Sequence, residues 1–482
     1  MPKAPHFYLW IDGEARSSDT DFEVRNPFND TCIATVSTAG HKQVVAAVDS
    51  ARHAARVLAG MSRYARSVLL RDIAEGLSDA RGEIIDTLIV EGGKPRMMAE
   101  QELERSLAVF SWAAEEARRF TGEVIPVDGM QRGEGYEGYT RREPIGPILG
   151  ICPFNFPLNL VAHKVAPALA VGNPVIIKPA SNTPISALLL GRIISEAGAP
   201  AGSVNVLPMP HEEVAGLLAG DDIRMLSFTG SPDVGWALKQ QACRQRVSLE
   251  LGGNSGTIVD TSADLAFAAS RCALGGFGQA GQSCISVQRI YVHQTVYDAF
   301  LKLLKRETAR LGVGDPRQDG IAIGPLINRA AVDRVYAAIK QAEKDGAKIV
   351  HGGKRRRMGC GNIIEPTILT DVDENMDVCR CEIFGPLVTV TPFADIETAI
   401  GWINHSDFGL QAAIFGFDMR NIRLAVESLK VGGVVVNDFP SYRVDHMPYG
   451  GVKHSGLGRE GILPAMLEMS EEKMVVIRKS GG

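Results

Sequence analysis

The stretch PILGICPFNFPLNLVAHKVAPALAVGNPVIIKPA, residues 147–180, decides the fold. PILGICP reads as a short buried strand. PLNLVAHKVAPALAVG reads as a helix opened by Pro157, whose missing N–H is harmless in a first turn, and closed by Gly172. PVIIKPA is a second apolar strand. A strand, a crossover helix and a strand make a parallel pair, and the alternation continues downstream. PISALLLGRIISEAG is a helix begun by Pro184 and ended by Gly198. SVNVLPM, IRMLSFTG and RVSLELGG supply three more strands, with HEEVAGLLAG and DVGWALKQQA as helices between them. The expectation is an α/β protein with a parallel, helix-covered sheet, the architecture that binds dinucleotides at strand carboxyl ends.

Outward from this block, residues 41–119 carry apolar side chains at helical spacing in three runs, with Gly60 and Gly92 where helices stop. Residues 121–143 turn polar and Gly-rich with aromatic alternation, the pattern of a hairpin or arm. A second strand–helix block runs from about Asp264 to Asn437, and the tail after Glu468 reads as an edge strand.

Bulk composition narrows the function. A length of 482 residues predicts about two to four domains. The formal net charge of −5 gives no footing for a nucleic-acid binder, and the one basic run, Lys354–Arg357, sits beside glycines as a solvated loop would. No uninterrupted apolar run reaches the ~18 residues of a membrane span, and the opening MPKAPHFYLWIDGE has no long apolar segment of a secretory leader. The eight cysteines are irregularly placed, and neither CxxC nor HExxH occurs. Reduced thiols, a cytoplasmic location and no metal are expected.

Five features carry chemistry. In FGQAGQSCISVQR, residues 277–289, Cys284 sits among small and polar neighbours that leave a thiol approachable and turn main-chain N–H groups towards it. In ICPFNFP, Asn155 follows a buried strand, where its amide serves either a developing oxyanion or the cap of the next helix. In LELGGNS, Glu250 lies between Leu249 and Leu251. Burial there raises its pKa towards that of a general base, unless a salt bridge holds it. FTGSPDVG, residues 228–235, is a strand–turn–helix whose Gly230 and Ser231 N–H groups would face a pyrophosphate, although GxGxxG is incomplete. EIFGP adds Glu382 beside Phe384, a pair suited to a ribose and a flat ring. Taken together they describe one reaction. A thiolate attacks an aldehyde, an amide and an N–H hold the oxyanion, hydride leaves to a nicotinamide, and carboxylate-activated water hydrolyses the thioester.

PFNFP, KPASNTP, FTGS, LELGGN, FGQAGQSC, EIFGP and MPYGGVKHSGLGREG occur in the order of the aldehyde dehydrogenase superfamily, which the chain resembles from end to end. The resemblance implies a Rossmann-like cofactor domain (1–120 and 144–249), an α/β catalytic domain (250–445) and a small β bridging arm (121–143 and 468–482) that makes homodimers or homotetramers. It implies Cys284 as nucleophile, Glu250 as base and Asn155 as the side-chain half of the oxyanion hole. The cofactor would lie against Ile151, Pro153, Phe154, Phe228, Val234, Leu251 and Gly252. Lys178 would hold the adenosine ribose, Gly230 and Ser231 the pyrophosphate, Glu382 the nicotinamide ribose and Phe384 the ring. Acylating members, which pass the acyl group to coenzyme A, lack the glutamate of LELGGN, so Glu250 favours release of a free acid.

Relatives that prefer NAD often carry a glutamate three positions after the lysine of KPASNTP. Here Ser181 removes that repulsion of a 2′-phosphate, so NADP or NAD is expected, with NADP favoured. For the substrate, His163 takes a position where many relatives have a pocket aromatic, and it either binds a hydroxyl or an anion there or is a satisfied core histidine. Arg105 lies in a stretch similar to one with an anion-binding arginine, and Arg443 on a loop that borders the substrate mouth. Ser283 stands where the phosphate-binding branch has an arginine, which counts against a triose phosphate. The expected substrate is a small hydroxylated or acid-bearing aldehyde.

Overall fold

The computed structural model describes residues 4–479. The outermost three positions at each end, where the expected cofactor domain begins and the expected arm ends, lie outside the described residues. Strands Arg246–Glu250, Met225–Thr229, Ile148–Ile151, Val175–Lys178 and Val204–Val206 lie side by side in that order, all parallel, at the centre of an eight-stranded sheet. Helices cover both faces, so these strands are buried almost throughout instead of alternating. Ile148, Val175, Ile177 and Val206 are all fully buried. The helix Asn159–Val171 is buried along its whole length, and Gly172 ends it with φ 106°, a left-handed cap that favours glycine. The strand–helix–strand reading of residues 147–180 is therefore borne out, as is the mixed α/β class.

The N-terminal helical region holds four helices, not three: His41–Gly60, Arg63–Asp79, Arg81–Gly92 and Arg96–Arg119. The middle run breaks at Ala80, which caps one helix and opens the next two residues before Gly82.

A second sheet has seven strands in the order Lys348–His351, Thr367–Thr370, Leu387–Phe393, Val287–His293, Ser255–Val259, Gln411–Phe415 and Gly433–Val436, parallel except for the first. It begins one strand before the alternating block legible in the sequence. Strand Ser470–Arg478 pairs antiparallel with Tyr136–Pro144 over nine residues, and Val124–Ile125 adds a third strand to this arm.

The two sheets bring their chemistry-bearing loops together. Strand Arg246–Glu250 ends at Glu250, and only a few residues separate it from Ser255–Val259 of the other sheet. Cys284 lies just before Val287–His293. The short strand Gly456–Leu457 pairs antiparallel with the first sheet, Gly456 opposite Glu250, and so carries residues 441–461 over the same point.

Candidate active site

The loop of Asn155 is tied down before any ligand arrives. The Asn155 carbonyl accepts from Lys94 Nζ at 2.8 Å and from Gln279 Nε2 at 2.6 Å. Lys94 is itself buried and paired with buried Glu102, whose other oxygen accepts the N–H groups of Leu158 and Asn159 at 2.9 and 3.1 Å. Glu102 thus satisfies the first turn of the helix that a capping Asn155 would have served. Asn155 Nδ2 instead donates to the Gln282 carbonyl at 3.1 Å, which leaves its second hydrogen available, and Oδ1 is buried without a partner.

Cys284 follows a tight turn. Gln279 and Ala280 have φ of 52° and 56°, and Gly281 has φ 67°. A side chain at Gly281 would come within 2.2 Å of the Gly385 carbonyl, so both the conformation and the space require glycine. A Cβ on Gly253 would lie 2.1 Å from the Cys284 carbonyl oxygen, so the glycines of LELGG let that strand end approach the thiol loop. Cys284 Sγ lies 3.3 Å from the Tyr449 hydroxyl. Burial pushes its thiol up to about 12, against the pull of that hydrogen bond.

Glu250 is 4% exposed, and neither carboxylate oxygen has a hydrogen-bond partner. Burial raises its pKa well above the ordinary value. The charge of Glu460 adds to this, while Arg443 and Lys164 offset part of it. Glu460 behaves oppositely. Burial pushes it up too, but Lys164 at 3.3 Å and Arg443 at 3.2 Å outweigh burial and hold it down at about 2. The cost of burying one carboxylate is thus met by two cations, and the other has none.

One cavity of about 360 Å³ joins these groups. Cys284, Glu250 and Asn155 line it, with Tyr449 and Glu460 beside them. Towards the first sheet it is bounded by Pro153, Phe154, Gly230, Ser231, Leu251 and Gly252, and towards the second by Glu382, Phe384 and Arg334. Glu382 accepts the Gly253 N–H at 2.9 Å, and burial raises its pKa to about 7. Phe154 and Phe384 meet edge to face at 5.9 Å. Ser231 precedes helix Pro232–Gln241 without a side-chain cap, so that first turn is open to an anion. These residues fit a dinucleotide: a crevice at parallel strand ends, an open helix start, a carboxylate for a ribose and an aromatic for a ring.

Other expected contacts fall outside the cavity. Ile151, Phe228 and Lys178 are buried at the carboxyl ends of their strands, and Val234 is exposed on the helix Pro232–Gln241. Ser181 is exposed and borders a separate recess with Asn182 and Arg25. Arg105 and Arg443 both reach the cavity. His163, open in sequence between a substrate contact and a core histidine, does not line it. Its helix is buried on all sides, and its Nε2 is used by Asp445 at 2.9 Å. Burial, then Arg443, lower its pKa. Asp445 also accepts from Arg105, by Nη2 at 2.7 Å and by Nε, and despite its burial these partners hold it strongly anionic.

Tyr449, Glu460, Asp445 and Lys164 were not singled out by sequence. Tyr449 and Glu460 lie within MPYGGVKHSGLGREG, and Lys164 and Asp445 lie within two residues of His163 and Arg443. Their partners are distant in sequence, so pairing gave no local signal. Among the described residues no three His, Cys, Asp or Glu side chains come together to hold a metal, and no helix is long and apolar enough to cross a membrane.

The sequence profile of the aldehyde dehydrogenase family matches residues 10–475. The chain belongs to the aldehyde dehydrogenase family. A 3-sulfolactaldehyde dehydrogenase of Priestia aryabhattai is 42% identical to it, covering 99% of both chains. Aldehyde dehydrogenase 21 of Physcomitrella patens, crystallised with the reaction product succinate, superposes with a TM-score of 0.96 over 99% of each chain at 38% identity. The glyceraldehyde-3-phosphate dehydrogenase GapN of Methanocaldococcus jannaschii, complexed with NADP, gives a TM-score of 0.91 at 35% identity over 96% of this chain and 100% of its own. This aldehyde dehydrogenase is an NAD(P)-dependent oxidoreductase, and the resemblance and fold class read from its motifs are borne out.

Proposed function

We propose that this aldehyde dehydrogenase oxidises a small aldehyde bearing an acid group, with or without a neighbouring hydroxyl, to the free carboxylic acid. The observation that carries this reading is one cavity that holds Cys284, unpaired Glu250 and Asn155 together with two arginines, Arg105 and Arg443. Arg105 gives its Nε and Nη2 to Asp445, which leaves Nη1 for a second anion. Two of the relatives named above, the 3-sulfolactaldehyde dehydrogenase and the aldehyde dehydrogenase 21 crystallised with its product succinate, are in keeping with an acid held away from the reacting carbon.

In this reading Cys284 Sγ, as thiolate, adds to the aldehyde carbon. Asn155 Nδ2 and the Cys284 N–H hold the oxyanion in place where water is largely excluded. The bound nicotinamide supplies a hydride acceptor. Phe384 and Phe154 position its ring, and Glu382 accepts from its ribose. Glu250 takes a proton from the water that hydrolyses the Cys284 thioester, and its raised pKa suits a base near neutral pH. Glu460, held anionic by Lys164 and Arg443, keeps that pKa high. Lys178 binds the adenosine ribose, and Ser181, with no charge to repel a 2′-phosphate, favours NADP over NAD. Ser283 beside the thiol speaks for a carboxylate or sulfonate over a triose phosphate. The arm, with Val476 and Ile477 exposed, serves contact between copies in a homodimer or homotetramer.

A panel of aldehydes with NAD and NADP side by side tests this. Short anionic aldehydes should give the highest kcat/KM, with free acid as product whether or not coenzyme A is present. Preference for long alkyl or aromatic aldehydes would reject the substrate assignment.

A further inference from the structure

We infer that the Tyr449 hydroxyl is a hydrogen-bond donor that stabilises the Cys284 thiolate, an additional catalytic group beside the asparagine and the main-chain N–H. The inference rests on the reading of Cys284 as nucleophile. Tyr449 Oη lies 3.3 Å from Cys284 Sγ, within reach for a sulfur acceptor. In the thiol state either atom can donate. Once the sulfur is a thiolate only the phenol can, so the contact strengthens on ionisation and favours it.

The tyrosine is built to hold this geometry. It is 4% exposed. Its N–H donates to the Glu460 carbonyl at 3.0 Å and its carbonyl accepts from the Glu460 N–H, so the backbone on both sides is fixed. The Arg443 guanidinium stacks on the ring, 3.8 Å from its centroid. That cation withdraws electron density from the ring and makes the phenol a better donor.

The charged and titratable groups facing the sulfur come from three other directions. Glu250 ends its strand, Glu382 precedes Leu387–Phe393, and Arg443 lies on the loop that carries Tyr449. The two carboxyls oppose ionisation of Cys284, and the charge of Arg443 favours it. No lysine, arginine or histidine is hydrogen-bonded to the sulfur among the described residues, so the phenol is the side-chain donor in direct contact.

The test is the pH dependence of iodoacetamide alkylation, read at the Cys284 peptide by mass spectrometry, in the wild type and in Tyr449→Phe, both free of cofactor. Phenylalanine keeps the ring under Arg443 and removes one oxygen. Thermal melting and the alkylation of Cys243, which is exposed, control for the fold. Loss of the donor should raise the Cys284 inflection by about one pH unit. Below both inflections alkylation then slows by about three- to tenfold, the lower figure because a more basic sulfur is intrinsically more nucleophilic. Tyr449→Phe should also lower kcat/KM by a similar factor, with the loss shrinking as pH rises. A Cys284 profile that superposes on the wild type would overturn the inference and leave the nucleophile assignment standing. Full dehydrogenase activity after complete alkylation of Cys284 would remove that assignment, and the role of Tyr449 with it.

Discussion

The two sides of the cavity solve the burial of charge in opposite ways. On the reacting side, Glu250 has two buried oxygens and no partner, and Asn155 keeps a bare Oδ1. On the loop side, Asp445 has Arg105 and His163, and Glu460 has Lys164 and Arg443. An unpaired buried carboxylate is costly, and no hydrogen bond offsets that cost at Glu250, which feels Arg443 and Lys164 only from a distance. The paired side holds its shape and charge fixed. The unpaired side is where hydrogen bonds are left to be made by what enters. On this division, substitutions on the first side should damage the chemical step for every substrate, and substitution of Arg105 on the second should act on substrate choice.

The largest effect is expected at Glu250. Glu250→Gln keeps size and removes the base, so steady-state turnover should fall by about 10²–10⁴-fold. One equivalent of reduced cofactor should still appear in a burst, and intact-protein mass should show an acyl group on Cys284. In the wild type, kcat should rise with pH along a limb well above the ~4.3 of an ordinary glutamate, because a base works only when deprotonated and the folded-state pKa is raised. A variant that cycles at the wild-type rate would end the contrast between the two sides.

Asn155→Ala should follow, with kcat lower by about 10²–10³-fold for anionic and neutral aldehydes alike, as for loss of one oxyanion donor. Its carbonyl contacts to Lys94 and Gln279 come from the main chain, so the loop should persist and the melting temperature should change little. Equal damage to cofactor binding and to kcat would place Asn155 with the structural side instead.

The same division explains what was legible in sequence. Strands buried on both faces, Pro-opened helices and glycine stops are local signals, and they located residues 147–180 correctly. Cys284, Glu250 and Asn155 stand out only when their motifs are taken jointly, and the structure brings the three to one cavity. The paired side was not legible. Asp445 joins Arg105 across 340 positions and His163 across 282, and Glu460 joins Lys164 across 296. No local pattern announces a partner that far away, so the sequence leaves His163 open between a substrate contact and a core histidine, and the structure buries it against Asp445. The joint at Ala80 is not marked in sequence because alanine favours helix, and the nearest glycine, Gly82, lies inside the second helix.

Arg105→Gln sharpens the comparison from the other side. It removes one of the two cavity arginines yet leaves Asp445 with His163 and Asn159. A charge-assisted hydrogen bond contributes about 1.5–3 kcal/mol, so kcat/KM for an acid-bearing aldehyde should fall by about 10–100-fold, mainly through KM. A neutral aldehyde of the same length should change by no more than about threefold. Losses of equal size for both would mean that Arg105 supports the fold of the loop and reads no charge.

The smallest effect is expected at Ser181, which is exposed and lies outside the cavity. A carboxylate at Ser181→Glu would face the 2′-phosphate through water, where two unit charges 4 Å apart interact by about 1 kcal/mol. NADP affinity should therefore fall by about three- to tenfold, while NAD affinity holds or rises, as read by fluorescence titration of each reduced cofactor. The loss should shrink in high salt, because exposed charges are screened over about 10 Å at 0.1 M. A change that ignores salt, or that falls equally on both cofactors, would mean that the new side chain acts by its bulk. Cofactor choice would then have to be sought at buried Lys178, where a charge is less screened than it is at Ser181.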